Sequence, residues 1–448
     1  MIAGGLALAA DGAEAFAAEA RPFRPVRSDE DYGYLRDADE RTGLDRLRYI
    51  ALGRDAYLSL GGEARIRVDA FDAPRFGVAG EEADTYALTR LLFSADAHLG
   101  SRVRVYGELG AHRDTGKTAP PGGSDRDRLD AQLLFADVTP VDGWRVRLGR
   151  QEVAISPSQR FVALREAANI RQAFDGLRVT RNRNGLRLDA FYLQPVVNEP
   201  GSFDDHRNHG QRFYGAYGAG RLDKATSLDV YVMGLERDDV RFGRTRGDER
   251  RLSAGLRLAG TQGAFDYEIE AVVQRGRFAG QAIRAWAVGA GAGYTLEQPW
   301  KPRLGLRLDN GSGDKDPADG RLGTFNPYFP RGGYFNETGL TGWSNLSAAR
   351  PSLTLTPHRT LTLEASYLVR RRATAADAIY LQPMAVLPGS DASRARAVGQ
   401  AIQLDAAWQA SRNVRVQVQA VRQKAGAAAI AAGGRDTDFG MAIVQYRF

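Results

Sequence analysis

Arginines placed two residues apart are the first feature of this sequence that carries chemistry. They occur as Arg65 and Arg67, Arg102 and Arg104, and Arg145 and Arg147, with Arg303 and Arg307 four apart. The bias runs through the whole chain. Of 61 basic residues only Lys117, Lys224, Lys301, Lys315 and Lys424 are lysine, which leaves 56 arginines. A guanidinium is planar, always charged and able to grip a carboxylate through two parallel hydrogen bonds, whereas an ammonium is a point charge. With 54 acidic residues the formal net charge is +7. Any basic surface formed here is a guanidinium surface, suited to carboxylates.

An interval of two matters only on a backbone that turns alternate residues to one side. A strand does this and a helix does not. Leu58, Leu60, Gly62, Ala64, Ile66, Val68 and Ala70 alternate with Glu63, Arg65, Arg67 and Asp69. The same period recurs at 103–111, 144–148, 186–192, 252–258, 265–273, 286–294, 304–308, 361–369, 402–408 and 414–420. Weaker cases fall near 86–99, 129–138, 174–180, 212–219, 227–236 and 346–355, and 438–448 closes the chain. The total is about eighteen, an even number as expected of a single-chain bacterial barrel. No stretch approaches the roughly 20 apolar residues of a membrane helix, so a membrane role must use strands.

The connections carry the stronger signal. Segments at 114–128, 156–172, 196–210, 237–248, 309–345, 374–396 and 425–435 are long and follow odd-numbered strands. Those at 100–101, 140–143, 181–185, 260–263, 357–358 and 409–412 are short and follow even-numbered ones; 276–280, after an odd strand, is the one short exception. Short turns at one rim and long loops at the other mark an all-β, single transmembrane antiparallel barrel with periplasmic turns and extracellular loops. Both termini then lie at the short-turn rim. Tyr57, Tyr86, Trp144, Tyr192, Trp286, Tyr294, Tyr367 and Trp408 sit near strand ends, as interfacial girdles require. The last segment alternates Ala442, Val444, Tyr446 and Phe448, resembling the closing strand whose terminal aromatic is read by the barrel insertion machinery. Residues 1–17, with an apolar run 2–10 and Ala15-Phe16-Ala17, read as a signal peptide that lacks the usual positive start. Residues 18–56 are then a periplasmic segment and 57–448 the barrel.

With the apolar faces turned to lipid, the lumen face carries Arg65, Arg67, Arg102, Arg104, Arg145, Arg147, Arg187, Arg257, Arg303 and Arg307, joined by Arg415 and Arg447. Carboxylates such as Glu63, Asp69, Glu108, Asp189, Asp266 and Glu268 share that face and will neutralise some of them across neighbouring strands. The surplus positive charge makes a selectivity path for anions, and a barrel of this size leaves an aqueous channel unless something plugs it.

The run from Val146 to Glu152, followed by that from Arg171 to Gly176, resembles the strand-loop-strand core of the alginate-export outer-membrane porin family. Residues 323–334 are similar to that family's long extracellular loop, and 380–383 also match. The resemblance extends from about Tyr57 to Phe448. It implies export of an anionic uronate polymer such as alginate, and by motif match it implicates Arg147, Arg150, Arg171 and Asp175. Two departures stand against it. Arg150 is out of phase with Arg147 unless Gly149 marks a bulge, and the short turn at 409–412 offers no periplasmic segment able to fold back into the pore.

Other chemistry is thinner. Asp309, Asp314, Asp316 and Asp319 form an acidic stretch that could hold Ca²⁺ but lacks EF-hand spacing, and acidic loops are usually only solvated. With no Cys there is no thiolate chemistry, and of five His only His98 and His112 lie in strands, neither beside a nucleophile motif. The expectation is therefore a monomeric channel and not an enzyme, without cofactor or nucleic-acid partner, in contact with outer-membrane lipid and passing anionic polysaccharide or small anionic solutes. A general uptake porin for small acids or sugars is the main alternative, and a barrel-borne hydrolase a remote one.

Overall fold

The computed structural model describes residues 23–37, 43–242 and 245–448. The signal-peptide reading of 1–17 lies outside them. Eighteen long strands close into one antiparallel barrel. They are β1 (Ala56–Phe71), β2 (Asp84–Leu99), β3 (Val103–Thr115), β4 (Asp127–Val138), β5 (Trp144–Gln151) and β6 (Phe174–Arg183). Next come β7 (Leu186–Val197), β8 (Gln211–Arg221), β9 (Thr226–Phe242), β10 (Thr245–Gln262), β11 (Phe265–Phe278) and β12 (Gln281–Thr295). β13 (Arg303–Gly311), β14 (Leu346–His358), β15 (Leu361–Arg372), β16 (Ala397–Gln409), β17 (Val414–Ala425) and β18 (Thr437–Arg447) complete the ring. The seam is zipped by Glu63↔Arg447 through Phe71↔Phe439. No described helix is long and apolar enough to cross a membrane.

The period-two reading holds residue by residue. On β1 Glu63, Arg65, Arg67 and Asp69 are buried inside, while Ile66 and Val68 are exposed to the lipid side. Closure spares every strand an unpaired edge, so backbone groups meet no hydrocarbon unsatisfied. Trp144, Tyr192, Trp286, Tyr294, Tyr367 and Trp408 are exposed outward, as girdle residues should be. Tyr57 and Tyr86 are not. Tyr57 shares parity with Ser59 and Glu63 and is buried, stacked on Tyr49 and His98. Tyr86 sits opposite Asp69 on the inward face.

The long loop expected over 237–248 is replaced by extension of β9 to Phe242 and β10 from Thr245, with Arg241↔Arg246 still in register. Two of the other long loops turn inward. Loops 152–173 and 312–345 meet inside the barrel, where Ala163 N donates to the Phe329 carbonyl at 2.8 Å and Phe329 N to the Phe161 carbonyl at 3.0 Å. Phe161, Val162, Phe325, Phe329, Tyr334 and Trp343 form an apolar core there with Phe174 and Phe213 of the wall. This interior packing is why a 34-residue connection can hold one conformation: its aromatics are buried away from water. At the opposite end, residues 23–37 and 43–48 fold into the periplasmic mouth.

Candidate functional site

Two walls of the lumen carry arginine in different states. On β1 and β2 the side chains clamp loop 152–173. Arg65 donates to the carbonyls of Glu166 at 2.7 Å and Ala168 at 2.9 Å. Arg67 binds Asp69 at 2.8 Å, the Ala167 carbonyl at 2.9 Å and Glu337 of loop 312–345 at 2.8 Å. Arg90, fully buried, holds Glu166 at 2.7 Å, Glu63 at 3.1 Å and the Asn169 carbonyl at 2.8 Å. Arg171, in the loop itself, reaches Glu152 at 2.8 Å and Glu108 and Glu166 at 3.4 Å. Arg160 ties the same loop to Glu270 at 2.9 Å and to the Tyr334 hydroxyl at 2.9 Å. These guanidiniums are buried among carboxylates and carbonyls, which leaves little donor capacity open to a solute.

Glu166 differs from its partners. Its side chain is 44% exposed although it touches guanidiniums that are nearly fully buried, so it faces the lumen water. Burial works to raise its carboxyl, but Arg90, Arg171 and Arg65 outweigh that and hold it at about 2. It stays an anion at every physiological pH.

Across the lumen Arg307 on β13 donates to the Tyr334 carbonyl at 2.8 Å and lies 4.6 Å from that ring's centre, with no carboxylate partner among the described residues. Arg331 in loop 312–345 and Arg415 on β17 are half-buried and form no side-chain ion pair among the described residues. Burial lowers the Arg331 guanidinium, Glu337 opposes this, and Arg307 adds to it. Arg415 lies within electrostatic reach of Arg447, Glu166 and Arg331. Arg447 is held by Glu63 at 3.1 Å. The result is a set of three guanidiniums with donors to spare, facing one fixed carboxylate.

The remaining predicted residues fall into three places. Arg147 is locked to Asp137 through two bonds of 2.7 and 2.8 Å and stacks on Phe135 at 3.7 Å. Arg257 is buried between Asp229 and Glu268, and Arg303 is paired with Asp266 at 2.6 Å. At the periplasmic end Arg104 grips Asp96 at 2.7 and 2.8 Å, and Arg187 bonds Asp189 at 2.7 Å. Arg102 belongs to the turn between β2 and β3 rather than to the wall. With Arg104, Arg145 and Arg187 it lines a cavity of about 360 Å³.

Arg150 and Asp175 are not lumen residues. The register from Val138↔Val146 to Leu134↔Arg150 runs without a shift, so Arg150 takes the parity of lipid-facing Leu148. It pairs with Asp175 at 3.0 Å and approaches Asp130 at 3.5 Å. The acidic stretch does not converge either. Asp309 is buried on β13 against the Tyr334 hydroxyl, while Asp316 and Asp319 bond their own loop backbone at the surface. Among the described residues the carboxylates that come within 4.8 Å of one another as a group are instead Asp130, Asp204 and Asp205. Sequence reasoning missed Arg90, Glu166 and Arg331. The aromatic density around Arg331 was the one available signal that its loop is buried.

The family model described as alginate export matches residues 56–442. No curated protein matches the chain. Among solved structures it is similar to three Pseudomonas aeruginosa proteins. OccK9 (OpdG) has a TM-score of 0.61 at 13% identity, covering 87% of this chain and 98% of that one. OpdQ has a TM-score of 0.58 at 15% identity, with 88% and 99% covered. OccK2 (OpdF), solved in complex with glucuronate, has a TM-score of 0.56 at 14% identity, with 87% and 98% covered. At these identities the likeness is one of fold.

Proposed function

Since the chain belongs to the alginate-export family and forms a barrel of the bacterial outer membrane, we propose that it is an anion-selective channel for a carboxylate-bearing polysaccharide such as alginate. The observation that carries this reading is the set Arg307, Arg331 and Arg415, which form no ion pair among the described residues. A water-filled passage with low-dielectric walls concentrates the field of such a cluster and raises the local anion concentration. Glu166, held on loop 152–173 within electrostatic reach of Arg415, gives the passing chain a repulsive edge. A uronate is therefore drawn to one side of the lumen and is not bound all around. The walls of paired arginine supply rigidity and wetting without adding net charge.

Reversal potentials in planar bilayers under a salt gradient test the proposal, with block by a defined oligouronate added at the long-loop side as a second measure. Anion preference and concentration-dependent block are expected; cation preference in the unblocked channel would overturn it. Uptake of small acids or sugars is a second reading, favoured by the two loops folded into the lumen, which narrow the passage. Block by monomeric uronate as strong as by the oligomer would select it.

A further inference from the structure

The N-terminal segment sits inside the periplasmic mouth and is anchored there at several points. Arg27, only 4% exposed, donates to the Gly62 carbonyl at 2.7 Å and to the Phe448 carbonyl at 3.1 Å. The Tyr57 hydroxyl donates to Asp31 at 2.9 Å, and Ser59 Oγ to the Arg48 carbonyl at 2.6 Å. Tyr49 stacks on Tyr57 with ring centres 4.8 Å apart. Tyr57 and Ser59 are lumen-face residues of β1, so the segment lies within the barrel and not beneath it. The expectation that no periplasmic segment could fold back into the pore was drawn from the turns alone; the N-terminus supplies one.

What this segment covers is a basic cavity. The arginines of the mouth, with Arg24 of the segment itself, share about 360 Å³ with the acidic triplet Asp29, Glu30 and Asp31. Glu30 and Asp31 are engaged, accepting from Tyr32 at 2.8 Å and from Tyr57. The Asp29 carboxylate makes no side-chain hydrogen bond among the described residues, yet it lines the same cavity as Arg145 and Arg187. Among the described residues Arg145 forms no ion pair. A carboxylate is thus held near guanidiniums without being locked to them.

We propose that the periplasmic mouth is an entry site for carboxylate-bearing sugars, occupied in the resting chain by Asp29 acting as an internal stand-in, and that an arriving polyuronate displaces the segment by taking Arg145 and its neighbours. This rests on the polyanion reading above. Exchange of one carboxylate for another replaces like with like, so the swap meets little opposition from the arginines. A polymer presents its next carboxylate at high effective concentration once the first is bound, whereas the segment has a single unbonded one to offer. Occupancy then depends on the substrate, and the segment narrows the path of small solutes when no polymer is present.

The test is single-channel recording of the full mature chain with a defined oligouronate added at the short-turn side, and a neutral oligosaccharide of equal length as control. The oligouronate should raise conductance and the neutral sugar should not. Asp29→Asn should lower the oligouronate concentration needed severalfold, and Arg27→Ala should conduct well without it. If Arg27→Ala fails to assemble, judged by heat-modifiable migration, the Asp29→Asn shift decides the matter. Equal conductance of Arg27→Ala and the unaltered chain, or an oligouronate response unchanged in Asp29→Asn, overturns the inference. An anion-selective channel with either of those results defeats only the gating, whereas a cation-selective channel defeats the polyanion reading beneath it.

Discussion

The β1–β2 wall and the β13–β17 wall of this barrel present inward arginine with the same strand parity, and they do different things with it. Arg65, Arg67 and Arg90 spend their donors on carboxylates and on the carbonyls of loop 152–173. Arg307 has one carbonyl and the face of a tyrosine, and Arg415 has no bonded side-chain partner among the described residues. Parity decides which side a charge faces; the residue across the ladder decides whether it is free. In the proposed channel the surplus positive charge comes from few of its many arginines, and the rest form a scaffold. A guanidinium whose donors are all satisfied adds rigidity at close to zero net charge, because its partner cancels it within a few ångströms.

The comparison can be broken most forcefully at Arg90. Replacing it with alanine leaves Glu63 facing Arg447 alone and Glu166 short of its nearest partner, in a place where removal of one member of a buried pair costs about 3–5 kcal/mol. Loss of the heat-resistant folded band and a lower urea midpoint are expected; an unaltered midpoint would show that the wall is not structural. A smaller and different effect belongs to the opposite side. Arg331→Gln combined with Arg415→Gln should reduce the anion-to-cation permeability ratio severalfold while stability changes by about 0.5 kcal/mol or less. If selectivity persists in that double variant, the free-guanidinium account fails.

The smallest effect is that of pH on Glu166. Burial pushes its carboxyl up, but Arg90 and Arg171 hold it down at about 2, against an ordinary value of 4.5. A depressed value in the folded state contributes stability that is whole above pH 4.5 and is lost as pH falls through about 2. The unfolding curves of the native chain and of Glu166→Gln should therefore differ by a constant, modest amount at neutral pH and converge across that window. Convergence already near pH 6 would contradict the ion-pair geometry.

Much of the barrel is legible in the alternation of residues such as Ile66 and Arg67, because a strand with lipid on one side tolerates no other pattern. Loop parity adds topology for the same reason, since the two rims face different compartments. What escapes is everything that depends on register. That Arg147 meets Asp137, and Arg90 meets Glu63, follows from which strand positions lie opposite each other, and a list of inward residues does not contain that. Tyr57 was misplaced among the girdles by its closeness to a strand end, although its parity with Glu63 already pointed inward. The inward loops escaped because connections are normally solvated. Phe325, Tyr328, Phe329, Tyr334 and Phe335 within one connection are too many aromatics for a solvated segment, and that density is the readable trace of burial.

The two carbonyls gripped by Arg27 belong to the first strand and to the last residue of the chain. Gly62 N donates to the Phe448 carbonyl and Phe448 N to that of Gly62, so these acceptors come side by side only once β1 and β18 have zipped. In an open sheet the same atoms stand at opposite edges, a full circumference apart. No partly closed precursor offers the N-terminal segment its complete seat. Arg27 is therefore a clasp whose two acceptors meet only in a finished ring.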